Sequence, residues 1–175
     1  MTKYIAFLRS INVGGHTVNM DHLSKLFEAL GFSSVETFIA SGNVIFETTA
    51  KNTTTLEKKI KEHLKKSLGY EVDTFLRTVQ EVAEVEKRSP FMAQKKEETV
   101  YVAFLHEKPN ATAMSALMAL RNKANDFAIL EREVYWLRLN KDDSLFLKSP
   151  LEKVLKLSAT VRNMTTIRKL CEKYR

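Results

Sequence analysis

Cysteine is almost absent from this chain. Its one thiol, Cys171, cannot close an internal disulfide, so cross-linking does not hold the fold together. Long apolar runs are absent as well. Nothing approaches the roughly 20 residues that a membrane helix needs. The N-terminal YIAFL is too short and too soon interrupted for a signal peptide, so no membrane partner is expected and the expected compartment is the cytoplasm. Histidine is scarce. His16, His22, His63 and His106 show no metal-ligand spacing with cysteine and no HExxH pattern, so no metal is expected. A GxSxG elbow, a Walker loop, a GxGxxG after a strand and paired cysteines are all missing. No reaction class follows from motif, whether the protein is an enzyme stays open, and no cofactor is indicated.

What is present is ordinary globular material: 175 residues, 44% apolar and 28% charged. A chain of that length buries roughly 70% of its unfolded surface, as one large domain or as two small subdomains. Charge is unevenly spread. Residues 148–175 hold eight basic side chains (Lys148, Lys153, Lys156, Arg162, Arg168, Lys169, Lys173, Arg175) against Glu152 and Glu172, so they carry six of the seven net positive charges. Such a segment either solvates one helix face or meets anionic partners, nucleic acid among them.

The periodicities set out an order of elements. KYIAFLR, residues 3–9, reads as a strand. Residues 20–31 place Met20, Leu23, Leu26, Phe27 and Leu30 at helical spacing, with Asn19 suited to the N-cap and Gly31 to the C-terminal end. FIASGNVIFE has two β-rich halves around Ser41, Gly42 and Asn43, the composition of a tight hairpin. Leu56, Ile60, Leu64 and Leu68 form the next stripe, with Glu57/Lys61 and Glu62/Lys66 at i,i+4, ending near Gly69. VDTFLR is a further strand. The order βαββαβ is the ferredoxin-like pattern: an antiparallel sheet of order 4-1-3-2 with both helices on one face. Right-handed crossover then makes the first two strands parallel, so the loop INVGG and the hairpin SGN leave the same end of the sheet.

TVQEVAEVEKR opens on a capping box, Thr78 with Glu81. Ser89, Pro90 and Phe91 stop that helix, and residues 93–98, AQKKEE, read as a linker. TVYVAFL is a strand, NATAMSALMALRNK a helix capped by Asn110, and FAILER, EVYWLRL and SLFLKS three further strands before one or two closing helices. The expected architecture is α+β with two related subdomains. Residues 1–92 form the ferredoxin-like one, and residues 93–175 a smaller α+β one with a basic C-terminal helix.

LRSINVGG, Met20, LFEALGF, SGNVIF, LRT, SPF and ATVRNMTTIRKL follow one another in the order and spacing of the bacterial domain-of-unknown-function family 1697, which the chain resembles over nearly its whole length. The resemblance implies two related α+β subdomains, the first ferredoxin-like, and no established reaction. The chain departs from the family pattern at Ser10, where glycine is usual, and at Met164, where tryptophan is common.

Candidate site residues gather at the loop end of the first sheet. Gly14 and Gly15 either turn the chain or bare their N–H groups as a small anion nest. Ser41 and Asn43 flank the hairpin turn and are expected to face the same rim, and Asn12 caps its own backbone or meets a ligand. Arg9 either makes a structural ion pair or lends positive charge. Arg162 and Asn163 precede the last helical stripe, Asn163 as a cap and Arg162 as an anion contact, and add charge if the second subdomain folds over the rim. His16 is the only neighbouring group suited to proton transfer near neutral pH. The favoured reading is a binder of a small anion or nucleotide-type ligand, phosphate- or carboxylate-bearing. An RNA-binding or protein-partner module using the basic C-terminal segment is the alternative. The RNA reading ranks lower because GNVIFET lacks the basic, aromatic character of an RNP1 strand.

Overall fold

A computed structural model of the chain describes residues 1–11, 15–39, 42–140 and 150–175. It divides into two units, Met1–Val82 with Tyr174–Arg175, and Ala83–Lys173. In the first part of the chain β1 (Thr2–Leu8), α1 (Met20–Glu28), β2 (Ser33–Thr37), β3 (Asn43–Thr48), α2 (Thr53–Leu68), β4 (Thr74–Thr78) and α3 (Val79–Lys87) follow in order. The series then repeats as β5 (Thr99–Leu105), α4 (Ala111–Met118), β6 (Asn125–Leu130), β7 (Glu133–Arg138), α5 (Pro150–Leu155), β8 (Ala159–Asn163) and α6 (Met164–Tyr174). The sheets have the orders β2-β3-β1-β4 and β6-β7-β5-β8, every neighbouring pair antiparallel. Both are the ferredoxin-like 4-1-3-2 order read from the other edge.

The central strands show why these residues choose this fold. β1 reads TKYIAFL and β5 reads TVYVAFL, identical at five of seven positions. In β1, alternation sends Tyr4, Ala6 and Leu8 into a cluster with Leu23 and Phe27 of α1 and Leu56, Ile60 and Leu64 of α2. Both helices therefore cover one face. Ile5 and Phe7, on the opposite face, are buried too, so the strand carries apolar residues without a break. In the second unit Ala103 and Leu105 meet Ala113 and Leu117 of α4 and Leu151 and Leu155 of α5 in the same way.

Helix ends follow their capping chemistry. Asn19, Asn52 and Asn110 accept from Asp21, Thr55 and Ala113 amides at 2.8, 3.0 and 2.8 Å. Gly69 ends α2 at φ 83, its N–H on the Lys65 carbonyl at 2.9 Å. Thr78 and Glu81 close the expected capping box, each side chain accepting from the other's amide. The open sides of two edge strands are capped from the helices: Glu57 accepts from the Leu76 N–H at 2.8 Å, and Glu152 from the Ala159 N–H at 2.9 Å. The Glu57 carboxylate thus reaches β4, and Lys61 lies 3.7 Å from Asp73.

Two expectations are corrected, and a third falls outside the described residues. The strand before the hairpin is the polar SSVET, a sheet edge with alternating exposure, and not the apolar FIA, where Ile39 adopts φ 58 and leaves the extended region. ATVRN, read as the approach to a helix, is strand β8. Its Thr160 and Arg162 are buried, a pattern that apolar counting misses. The expected strand SLFLKS lies outside the described residues. Among the described residues no helix is long and apolar enough to cross a membrane.

Two predictions follow from these backbones and burials. Ser10 sits at φ 67, a conformation that favours glycine. Ser10→Gly is expected to stabilise the protein by about 0.5–1 kcal/mol in urea unfolding, and a loss of stability would contradict the assignment. Tyr135 is fully buried, donates to the Val85 carbonyl at 2.6 Å, and its hydroxyl is pushed up by burial to about 12 from 10.0. The folded chain keeps a proton that the unfolded chain loses above about pH 10, so this stabilisation is complete below pH 10 and is lost between about 10 and 12. Tyr135→Phe is expected to flatten the alkaline fall in stability across that window, and an unchanged profile would contradict it.

Candidate functional site at the loop end of the first unit

The site begins where β1 stops. The Leu8 N–H donates to the Gly42 carbonyl at 2.8 Å, so the loop after β1 and the β2–β3 hairpin meet, as strand direction requires. Gly42 holds φ 79, and a Cβ there would lie 3.2 Å from Leu8 Cβ and 3.3 Å from Ile11 Cβ. Close approach and backbone conformation both call for glycine at that position. One residue further on, the Arg9 N–H donates to the Asp73 carbonyl at 2.9 Å and draws in the α2–β4 connection. The His16 ring lies over the Tyr70 ring, centroids 4.0 Å apart. Three connections thus converge on one end of the sheet.

Their chemistry is that of donors with little covering bulk. The Tyr70 oxygen is buried, and among the described residues it has no hydrogen-bond partner. Burial raises its pKa above 10.0, so near neutral pH it is a protonated donor. His16 is exposed, with its ring against the Tyr70 ring. Gly15 is exposed at φ 85, with open space where a side chain would stand. Arg9 is half-buried, and Lys61 stands beside Asp73. An anion entering there would meet a neutral hydroxyl, an imidazole and the cations Arg9 and Lys61, the latter shared with the Asp73 carboxylate.

The expected residues are placed as follows. Arg9 and Gly15 lie at this end, while Asn12, Gly14 and Ser41 lie outside the described residues. Asn43 is fully buried and does not face a rim. Its amide donates to the Phe38 carbonyl at 2.9 Å, its own carbonyl accepts from the Phe38 N–H at 2.9 Å, and it clamps the hairpin. Arg162 is buried on β8 of the second unit, its Nη1 donating to Thr160 Oγ1 at 2.7 Å and to the Val161 carbonyl at 3.0 Å. Burial pushes its guanidinium down to about 10. Asn163 accepts from the Thr165 N–H at 2.9 Å and caps α6, the bland alternative read from the sequence. Tyr70 was not among the expected residues. The signal that finds it is strand direction again, because the connection following Gly69 must return to the end where β1 stops.

The hydrogen-bond assignments separate two substitutions. Asn43→Ala removes the partner of the Phe38 carbonyl and is expected to destabilise by about 1–3 kcal/mol, whereas Tyr70→Phe removes an unpaired buried oxygen and leaves stability unchanged or raises it by up to about 1 kcal/mol. Urea unfolding of the two variants checks this, and the reverse order would refute the placement of both side chains.

Comparison with curated proteins gives no match. Among solved structures, the conserved bacterial protein SP0830 from Streptococcus pneumoniae is similar, with a TM-score of 0.78 and 20% identity over 99% of each chain. At that identity the likeness is one of fold. Residues 1–135, from β1 into β7, match the family described as Protein of unknown function (DUF1697). With that match covering the glycine loop, the hairpin and the α2–β4 connection, the chain belongs to the DUF1697 family.

Proposed function

We propose that the protein binds a small phosphate- or carboxylate-bearing ligand, of the nucleotide or organic-acid kind, at the loop end of its first unit. The observation that carries this reading is the Tyr70 hydroxyl, buried and without a partner among the described residues. A buried donor left unmade costs about 1–3 kcal/mol, so a ligand oxygen that takes it has a ready source of affinity. His16 stacks on the same ring, and the exposed Gly15 leaves room for a ligand to approach the backbone. These ligand classes are met in the cytoplasm, the compartment the sequence favours. Binding is the activity proposed, and whether a reaction accompanies it stays open.

A thermal-shift screen of nucleotides, phosphosugars and organic acids tests it. An anion is expected to raise the Tm of the parent protein. Its affinity should fall about tenfold or more in Tyr70→Phe, the loss of a hydrogen bond to a charged group. Gly15→Val, strained at φ 85, should abolish the shift. Absence of any anion-dependent shift in the parent would overturn the reading.

The basic C-terminal segment supports a second reading, salt-dependent nucleic-acid binding. α6 buries Met164, Ile167, Leu170 and Cys171 and leaves Arg168, Lys169 and Lys173 exposed on its other side. RNA retention on this face should fall steeply between about 50 and 200 mM salt. Retention that salt does not alter would remove the electrostatic basis for it.

A further inference from the structure

We infer that the second unit carries its own ligand site, a cleft of about 420 Å³ between the start of α4 and the end of α5 that takes a small monoanion with an apolar body. It goes beyond the first unit's site and stands without it. The volume lies within the ~300–1,000 Å³ usual for small-molecule clefts.

The cleft occupies the same topological place in its unit as the rim does in the first. It lies where the strand after the linker hands over to α4 and where α5 returns to the edge strand. Its lining divides in two. Ala113, Ala116, Val154 and Leu157 make an apolar wall, while Lys108, Lys156 and Glu107 supply charge. Among the described residues, two ammonium groups against one carboxylate leave a single positive charge, which matches a monoanion better than a dianion. The wall suits a hydrocarbon chain or ring attached to that anion.

Lys156 adds an independent observation. After α2 the first unit turns through Gly69 at φ 83. After α5 the second unit makes the corresponding turn through Lys156 at φ 55. A left-handed non-glycine residue carries backbone strain, and such strain gathers at functional positions. Here the strained backbone sets a cation on the cleft.

The test is an amide NMR titration of the full chain with octanoate below its micellar concentration, with octyl phosphate and octanol as comparison probes. Octanoate is expected to give saturable shifts at residues 107–116 and 154–157, octanol to bind more weakly, and octyl phosphate to gain less than tenfold over octanoate. Lys156→Gly removes the ammonium and relieves the backbone. It should weaken octanoate about threefold to fivefold, as an exposed ion pair does, while the protein melts no lower. Ala116→Trp, at an exposed position, fills the cleft and should abolish the shifts. The inference is overturned by shifts confined to residues 9–16 and 69–73, by none that saturate, by octanol equal to octanoate, by a larger gain for octyl phosphate, or by binding that survives Ala116→Trp.

Discussion

A strand buried on both faces tolerates a polar group only where it finds a partner, and β1 and β5 live under that constraint. Each sits between two antiparallel neighbours, with helix-facing and opposite-facing side chains both buried. Two-sided burial fixes register, because a slip of one residue would exchange the Tyr-Ala-Leu set for the other face. It also fixes where the strand ends. At Leu8 the ladder stops and its N–H turns to Gly42, and from that bond the convergence of loops at the first unit's site follows.

The two units solve one problem with matched residues. Arg77 pairs with Ile5 in one sheet and Arg162 with Val102 in the other, both buried, each guanidinium donating to the carbonyl of the residue before it. Glu57 and Glu152 cap the amides of the outer strands beside them. The units part company in glycine: all five lie within the first 69 residues. Where the second unit needs left-handed backbone it uses Glu131 at φ 54 and Lys156 at φ 55. The first unit therefore keeps Gly15 and Gly42 at its loop end beside the left-handed Ser10 and Ile39, and the second keeps side chains there.

Much of the first unit was legible in the sequence because its signals are local and redundant. Apolar stripes and terminal glycines agree on α1 and α2, Asn19 marks the start of α1, and strand direction alone brings Gly15 and Gly42 to one end. β2 was misplaced because an edge strand has no apolar run to announce it. β8 was missed because its buried residues include Thr160 and Arg162, whose satisfaction depends on partners no periodicity displays. Asn43 is the same lesson at the candidate site. An amide in a turn reads as a free polar group until the Phe38 carbonyl is known to hold it. Tyr70, one aromatic between helix and strand, carries no sequence signal that sets it apart from packing. That its hydroxyl has no partner among the described residues is visible only in three dimensions.

Native-state hydrogen exchange tests the central claim, that the doubly buried strands anchor each unit and the loop ends hang from them. The account predicts that the ladder-bonded amides of Tyr4–Leu8 and Tyr101–Leu105 exchange slowest, through the largest opening free energies. Those at Gly15, His16 and the β2 edge should exchange through local openings. Equal protection in β2 and β1, or rapid exchange in β5 while the edge strand β6 stays protected, would contradict it.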